Sequence, residues 1–183
     1  MSPSPKSDRQ QFWLWVAKPK YTQDPADSTR DRPDMMDAPI TDATPGWWTC
    51  HEDTKRGDLA LLYATAPSSE IRWLIRTESE HEQLIDLRND QDAQAEGFGD
   101  WGTEYTVLYR FDETITFGEM RETQTLRNWD AITRRLRGNK GSWPIPKAYA
   151  NILGSRLVKR NPESRAAILD NLRCRPDWLD GRT

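Results

Sequence analysis

Apolar residues fall into short runs along the first two thirds of the chain and into a helical spacing only beyond it. Phe12 to Val16 has the aromatic and β-branched content of a strand, and Pro19, which lacks a backbone N–H, ends its pairing. Leu59 to Ala64 is a continuous apolar run, the pattern of a central strand. A turn at Arg56-Gly57-Asp58 precedes it, and the turn signal APSSE separates it from a second strand, Ile71 to Arg76. Two strands joined by so short a turn read as a hairpin. Thr103 to Phe111 alternates, with Tyr105, Val107, Tyr109 and Phe111 on one face, which predicts a half-buried strand that Ile115 and Phe117 extend or follow.

Beyond residue 120 the period changes. Leu126, Trp129, Ile132 and Leu136 are spaced as one buried stripe, so the pattern predicts a helix over 125–136, stopped at Gly138. A short helix is expected over 147–153. Asn161 with Pro162 makes a cap and first residue for a last helix that ends before Pro176. Strands with helices crossing between them predict an α+β fold, a small curved β-sheet or open barrel flanked by helices.

Three stretches lack a period. Residues 1–11 are polar and rich in Ser and Pro, and are expected to be a disordered tail. The Asp- and Pro-rich segment after Pro19 reads as a long surface excursion, of a length that is often functional. Residues 78–100 support a short helix at best, around Leu84, Ile85 and Leu87, and lead into the glycine-flanked GFGDWG loop, which exposes Phe98 and Trp101.

Charge changes this picture more than length does. A chain of 183 residues suits one domain, and its formal charge of -3 hides an asymmetry. Residues 78–104 carry nine acids against one base, Arg88, whereas residues 121–160 carry ten bases against two acids. The local field, and not the net charge, steers a polyanion. Arg127, Arg134, Arg135, Arg137 and Lys140 are therefore candidate contacts for a nucleic-acid backbone, the alternative being an ordinary solvated helix face. No apolar run approaches the roughly 20 residues that span a bilayer, and the N-terminus has no hydrophobic signal region, so a cytoplasmic protein with no membrane partner is expected.

Nine tryptophans exceed what a core of this size needs, because each buried indole N–H requires a partner that leucine does not. Some of them are expected to face a ligand. Catalytic signatures are missing: no nucleophile elbow, zinc-protease helix or phosphate loop occurs, and His51 and His81 are not spaced for a shared metal. Cys50 and Cys174 are too few and too distant for a disulfide framework, and Cys50 reads as a small core filler. His51 beside it is discounted as catalytic, because neighbours in a strand point opposite ways. Neither a metal nor a cofactor is expected.

Taken together, the opening FWLWVAKP, the Trp48-Thr49-Cys50 step, K-x-G-D-x-x-L-L-Y-A-T from Lys55, the aromatic-glycine loop, L-x-N-W from Leu126 and G-S-W-P-I-P from Gly141 resemble an EVE domain. This belongs to the PUA-like superfamily, which also holds the YTH readers of N6-methyladenosine and the ASCH domains. The resemblance covers roughly residues 12–155, leaving residues 156–183 as a C-terminal helical extension. It implies a barrel-like sheet and a concave pocket that receives a flipped, modified base of DNA or RNA, such as 5-methylcytosine. By the same resemblance Trp48 with Thr49 supplies one wall of an aromatic cage and Trp101 another. Lys18, Phe98 and Trp143 are further candidates, Trp143 as pocket floor or as plain packing. One of the paired tryptophans, Trp47 and Trp48, would anchor in the core while its neighbour faces the pocket. The departure from the family pattern is the insertion after Pro19, whose role does not carry over.

Energetics permit such a reader. Unpairing a base costs a few kcal/mol, and stacking on aromatic rings returns roughly 1–3 kcal/mol per base. A buried methyl adds only about 0.8 kcal/mol, so specificity has to come from the shape and exclusions of the cage. Two other readings stand beside it: an ASCH-like amidohydrolase of modified nucleosides, with Lys18, Thr22 and Glu70 as its working groups, and a protein-interaction module using acidic residues 78–104.

Overall fold

The computed structural model of the chain describes residues 10–18, 46–83, 101–137 and 141–171. Seven strands form one mixed sheet: β1 (Phe12–Ala17), β2 (Gly46–Trp48), β3 (Leu59–Ala64), β4 (Glu70–Thr77), β5 (Glu82–Gln83), β6 (Trp101–Thr116) and β7 (Ser142–Pro144). Their order is β2-β6-β4-β3-β1-β7, with β5 beside the start of β6. The β3–β4 hairpin expected from the turn signals is present, and antiparallel. β1 pairs with β3 in parallel, which two-residue turns cannot connect.

Alternation along the strands splits the core in two. Leu14, Leu59, Leu61, Tyr63, Ile71, Leu74, Leu108, Phe111 and Ile115 face one side and meet helices. Trp13, Trp15, Ala17, Ala60, Leu62, Ala64, Trp73, Ile75 and Val107 face the other. On that second side Trp48 of β2 stacks on Trp15 of β1, although four strand-to-strand steps separate them in the sheet order. Only a sheet curled on itself brings them together. The second cluster is thus the lining of a half-barrel, and β3, buried at all six positions, runs between two cores.

The helical half corrects the sequence reading at several points. Residues 125–136 are not one helix: a 3-10 turn (Leu126–Asn128) is followed by an extended Trp129 and a short α2 (Asp130–Thr133). The expected stripe of Leu126, Trp129, Ile132 and Leu136 is buried nonetheless. Trp129 packs its ring against Tyr149, and the break lets four large groups enter one core from a short segment. Arg135 and Leu136 are both left-handed, and Gly138, the stop expected for the helix, lies outside the described residues. Helix α3 (Lys147–Arg160) is twice the length expected and runs through residue 155. After it, α4 (Ser164–Asn171) packs on the same body: Ile168 joins the first core, and the Asn161 side chain bonds the Asp112 and Glu113 N–H groups and the Glu113 and Leu157 carbonyls.

Helix α1 (Phe117–Glu122) was legible and overlooked. Thr116 and Glu119 form a capping box, T-x-x-E, in which Thr116 Oγ1 accepts the Glu119 N–H and Glu119 Oε2 accepts the Thr116 N–H at 2.8 Å. The guanidinium of Arg160 on α3 pairs with the same carboxylate. That pairing first, and the Thr116 bonds with it, hold the Glu119 carboxyl at about 2 against the opposing effect of partial burial. A carboxyl depressed on folding stabilises fully above its ordinary value near 4.5 and loses that contribution as pH falls toward 2. Both partners are about one third exposed. Screening therefore limits the contribution to about 1 kcal/mol, the scale of a lost cap plus a surface ion pair. Glu119→Gln is expected to melt a few degrees below the native chain at pH 7, and the gap is expected to close between pH 4.5 and 2. Thermal melts across that window check both parts.

Candidate functional site

The Lys55-Arg56-Gly57-Asp58 turn sets the lower end of the half-barrel. Asp58 is 1 % exposed, yet its carboxylate accepts N–H groups from Gln11, Lys55 and the indole of Trp13, each at 2.9 Å. The turn thus satisfies a buried indole and fixes where β1 and β3 begin. His51 stacks on the other side of Trp13, with ring centroids 5.5 Å apart, and its Nδ1 accepts the Asp53 N–H. That is a packing role. Cys50 is buried in the lining, as expected of a core filler. Among the described residues no cluster of three metal-ligating side chains occurs.

Trp48 and Tyr105 are the partly exposed aromatics of the inner cluster. They stand edge to face, 6.5 Å apart, on adjacent strands β2 and β6. Both reach Trp15, which is completely buried: Trp48 lies nearly parallel to it at 6.2 Å, and Tyr105 meets it edge-on at 6.1 Å. These rings form a partly exposed aromatic corner on the inner face of the curled sheet. Trp47 alternates to the opposite face of β2, so the paired tryptophans do point apart. Two glycines permit the corner. A Cβ on Gly46 would stand 2.6 Å from the Tyr105 ring, and one on Gly102 would stand 2.4 Å from the Trp48 carbonyl oxygen.

The structure separates the remaining sequence candidates. Thr49 follows Trp48 directly and is half-buried. Trp101 is not on a loop but opens β6, 51 % exposed, with its ring stacked on His81 at 5.6 Å. Lys18 is exposed just beyond β1. Trp143 does not line this corner: it pairs with Leu14 across β1 and β7, is 3 % exposed and belongs to the helix-covered core. Arg127, Arg134, Arg135 and Arg137 are exposed on a segment whose apolar residues pack into that same outer core. They are not gathered on the face that carries Trp48. Phe98 and Lys140 lie outside the described residues. Sequence reasoning missed Tyr105 and Trp15. Their signal was parity, since Tyr105 and Val107 share a face, as do Trp13, Trp15 and Ala17.

No protein-family model matches the chain, and no curated protein does so. Solved structures do resemble it. Human THYN1 protein in complex with 5-methylcytosine-containing DNA covers 80 % of this chain and 97 % of its own, with 13 % identity and a TM-score of 0.55. A hypothetical protein from Leishmania major covers 87 % of this chain and 99 % of its own, with 14 % identity and a TM-score of 0.56. ASCH from Zymomonas mobilis covers 79 % and 94 %, with 10 % identity and a TM-score of 0.50. A curled mixed half-barrel with helices on its outer face and neighbours of these kinds give the chain the EVE/PUA-like fold.

Proposed function

We propose that the chain is a non-enzymatic reader that binds a flipped, modified base of a nucleic acid against Trp48 and Tyr105. The observation that carries this reading is the partly exposed aromatic corner of Trp48 and Tyr105 backed by buried Trp15. Flat rings held by a packed second layer offer a stacking surface that costs little ordering entropy when a base arrives. The THYN1 neighbour, of the same fold, is bound to 5-methylcytosine-containing DNA, which supports a nucleic-acid partner and makes that base the first to try. Thr49 stands beside the stacking ring to meet the base edge, and Trp101 forms the rim.

The hydrolase reading draws less support. Glu70 is engaged by Arg72 and by the Thr114 hydroxyl at 2.6 Å, and Thr22 lies outside the described residues. A poised acid–base pair is what that reading needs.

Binding to matched oligonucleotides, unmodified and carrying a single 5-methylcytosine, 5-hydroxymethylcytosine or N6-methyladenine, tests the proposal. Trp48→Ala is expected to weaken modification-dependent binding by the roughly 1–3 kcal/mol of one stacked base, a loss of about 5- to 150-fold. Equal binding of all oligonucleotides by the native chain would overturn it.

A further inference from the structure

Among the described residues, four buried side-chain polar atoms have no hydrogen-bond partner: Trp15 Nε1, Thr54 Oγ1, Ser142 Oγ and Trp143 Nε1. Such groups are rare in folded proteins because each carries an uncompensated desolvation cost, so each calls for a reason. Two of the four are neighbours. Trp15 on β1 and Ser142 on β7 are directly opposite one another in the antiparallel register, and both are 0 % exposed. Directly opposed residues send their side chains to the same face. That face is the inner one, since Trp15 meets Trp48 and Tyr105 there.

The other tryptophan of the same strand and face shows what an ordinary solution looks like. Trp13 donates its indole N–H to Asp58 at 2.9 Å. Two residues further along the strand the chain provides no such acceptor, and it places a second unpartnered group, a serine hydroxyl, at the adjacent position. Serine in an aromatic lining adds no apolar surface over alanine and carries a desolvation cost.

We infer that the indole N–H of Trp15 and the hydroxyl of Ser142 are the paired hydrogen-bonding groups that read the polar edge of a nucleobase entering past Trp48 and Tyr105. This rests on the reader function proposed above and adds specificity residues to it. An indole N–H is a donor only, so it selects an acceptor, a ring nitrogen or carbonyl oxygen, while the hydroxyl takes either a donor or an acceptor next to it. Stacking by Trp48 and Tyr105 tolerates any base. The buried pair is what makes the wrong edge costly, because a ligand that leaves it unpaired leaves its desolvation cost uncompensated and adds that of its own edge.

Ser142→Ala tests this through two readouts of opposite sign. In the free protein the hydroxyl has no partner, so removing it is expected to leave the melting temperature unchanged or raise it. Binding of a duplex oligonucleotide carrying one 5-methylcytosine is expected to weaken by about three- to tenfold, the scale of one hydrogen bond. A lowered melting temperature would show that the hydroxyl is already bonded in the free protein and would overturn the inference, whatever the ligand does. Unchanged binding by Ser142→Ala beside a clear loss in Trp48→Ala would overturn it while leaving the reader function standing. Failure of the native chain to bind the modified duplex better than the unmodified one would remove the reader function and this inference together.

Discussion

Asp58→Ala is expected to destabilise the fold by about 3 kcal/mol or more, the largest single effect among the described residues outside the aromatic core. The carboxylate accepts three N–H groups, and alanine leaves all three without it. A buried donor left unsatisfied costs roughly 1–3 kcal/mol, which the buried indole of Trp13 bears in full and the partly buried Gln11 and Lys55 N–H groups bear in part. For a chain of this size the change corresponds to a fall of about 6–12 °C in melting temperature. Asn is expected to rescue little. Trp13 Nε1 and the Lys55 N–H both donate to Oδ2, and the Gln11 N–H donates to Oδ1. Either orientation of an amide therefore turns an NH2 group toward a donor. A thermal melt of Asp58→Ala within 2 °C or so of the native chain would refute this account of the turn.

Gly102→Ala is expected to damage both fold and site. Its Cβ would stand 2.4 Å from the Trp48 carbonyl oxygen and 3.0 Å from the Trp48 carbonyl carbon, both backbone atoms that cannot swing aside. Relief requires β2 to move off β6, at a cost of about 1–3 kcal/mol by the general scale of overpacking. The strand that must move is the one that carries Trp48 into the aromatic corner. Binding of a modified duplex is then expected to fall about as far as in Trp48→Ala, whereas Gly118→Ala, whose Cβ would meet only the Thr116 hydroxyl at 3.8 Å, is expected to bind normally. Normal binding by Gly102→Ala would show that the position of β2 does not set the site.

Much of this was legible before any coordinates. The strands at 12–17, 59–64 and 70–77 announced themselves by apolar content and turn signals, because a strand buried on both faces leaves no choice of residue. The capping box at Thr116 and Glu119 was equally explicit. The break at Trp129 was not, because a stripe at helical spacing reports which side chains are buried and not whether the backbone between them stays helical. Trp143 was misplaced for a similar reason. An indole followed by a proline looks alike in a pocket or in a core, and only its pairing with Leu14 across β1 and β7 assigns it to the outer face.

By itself, then, the sequence determined the α+β class, the apolar strands and the abundance of indoles seeking partners. Those properties are local, set by periodicity and by the hydrogen-bonding needs of single residues. Which indole found a partner was decided only by the tertiary structure. Curling the sheet brought β2 against β1, so that Trp48 met Trp15, while the Asp58 turn met Trp13 and the register of β7 set Ser142 beside Trp15. Contacts between strands so far apart in the chain depend on closure and register, and no spacing along the chain encodes either.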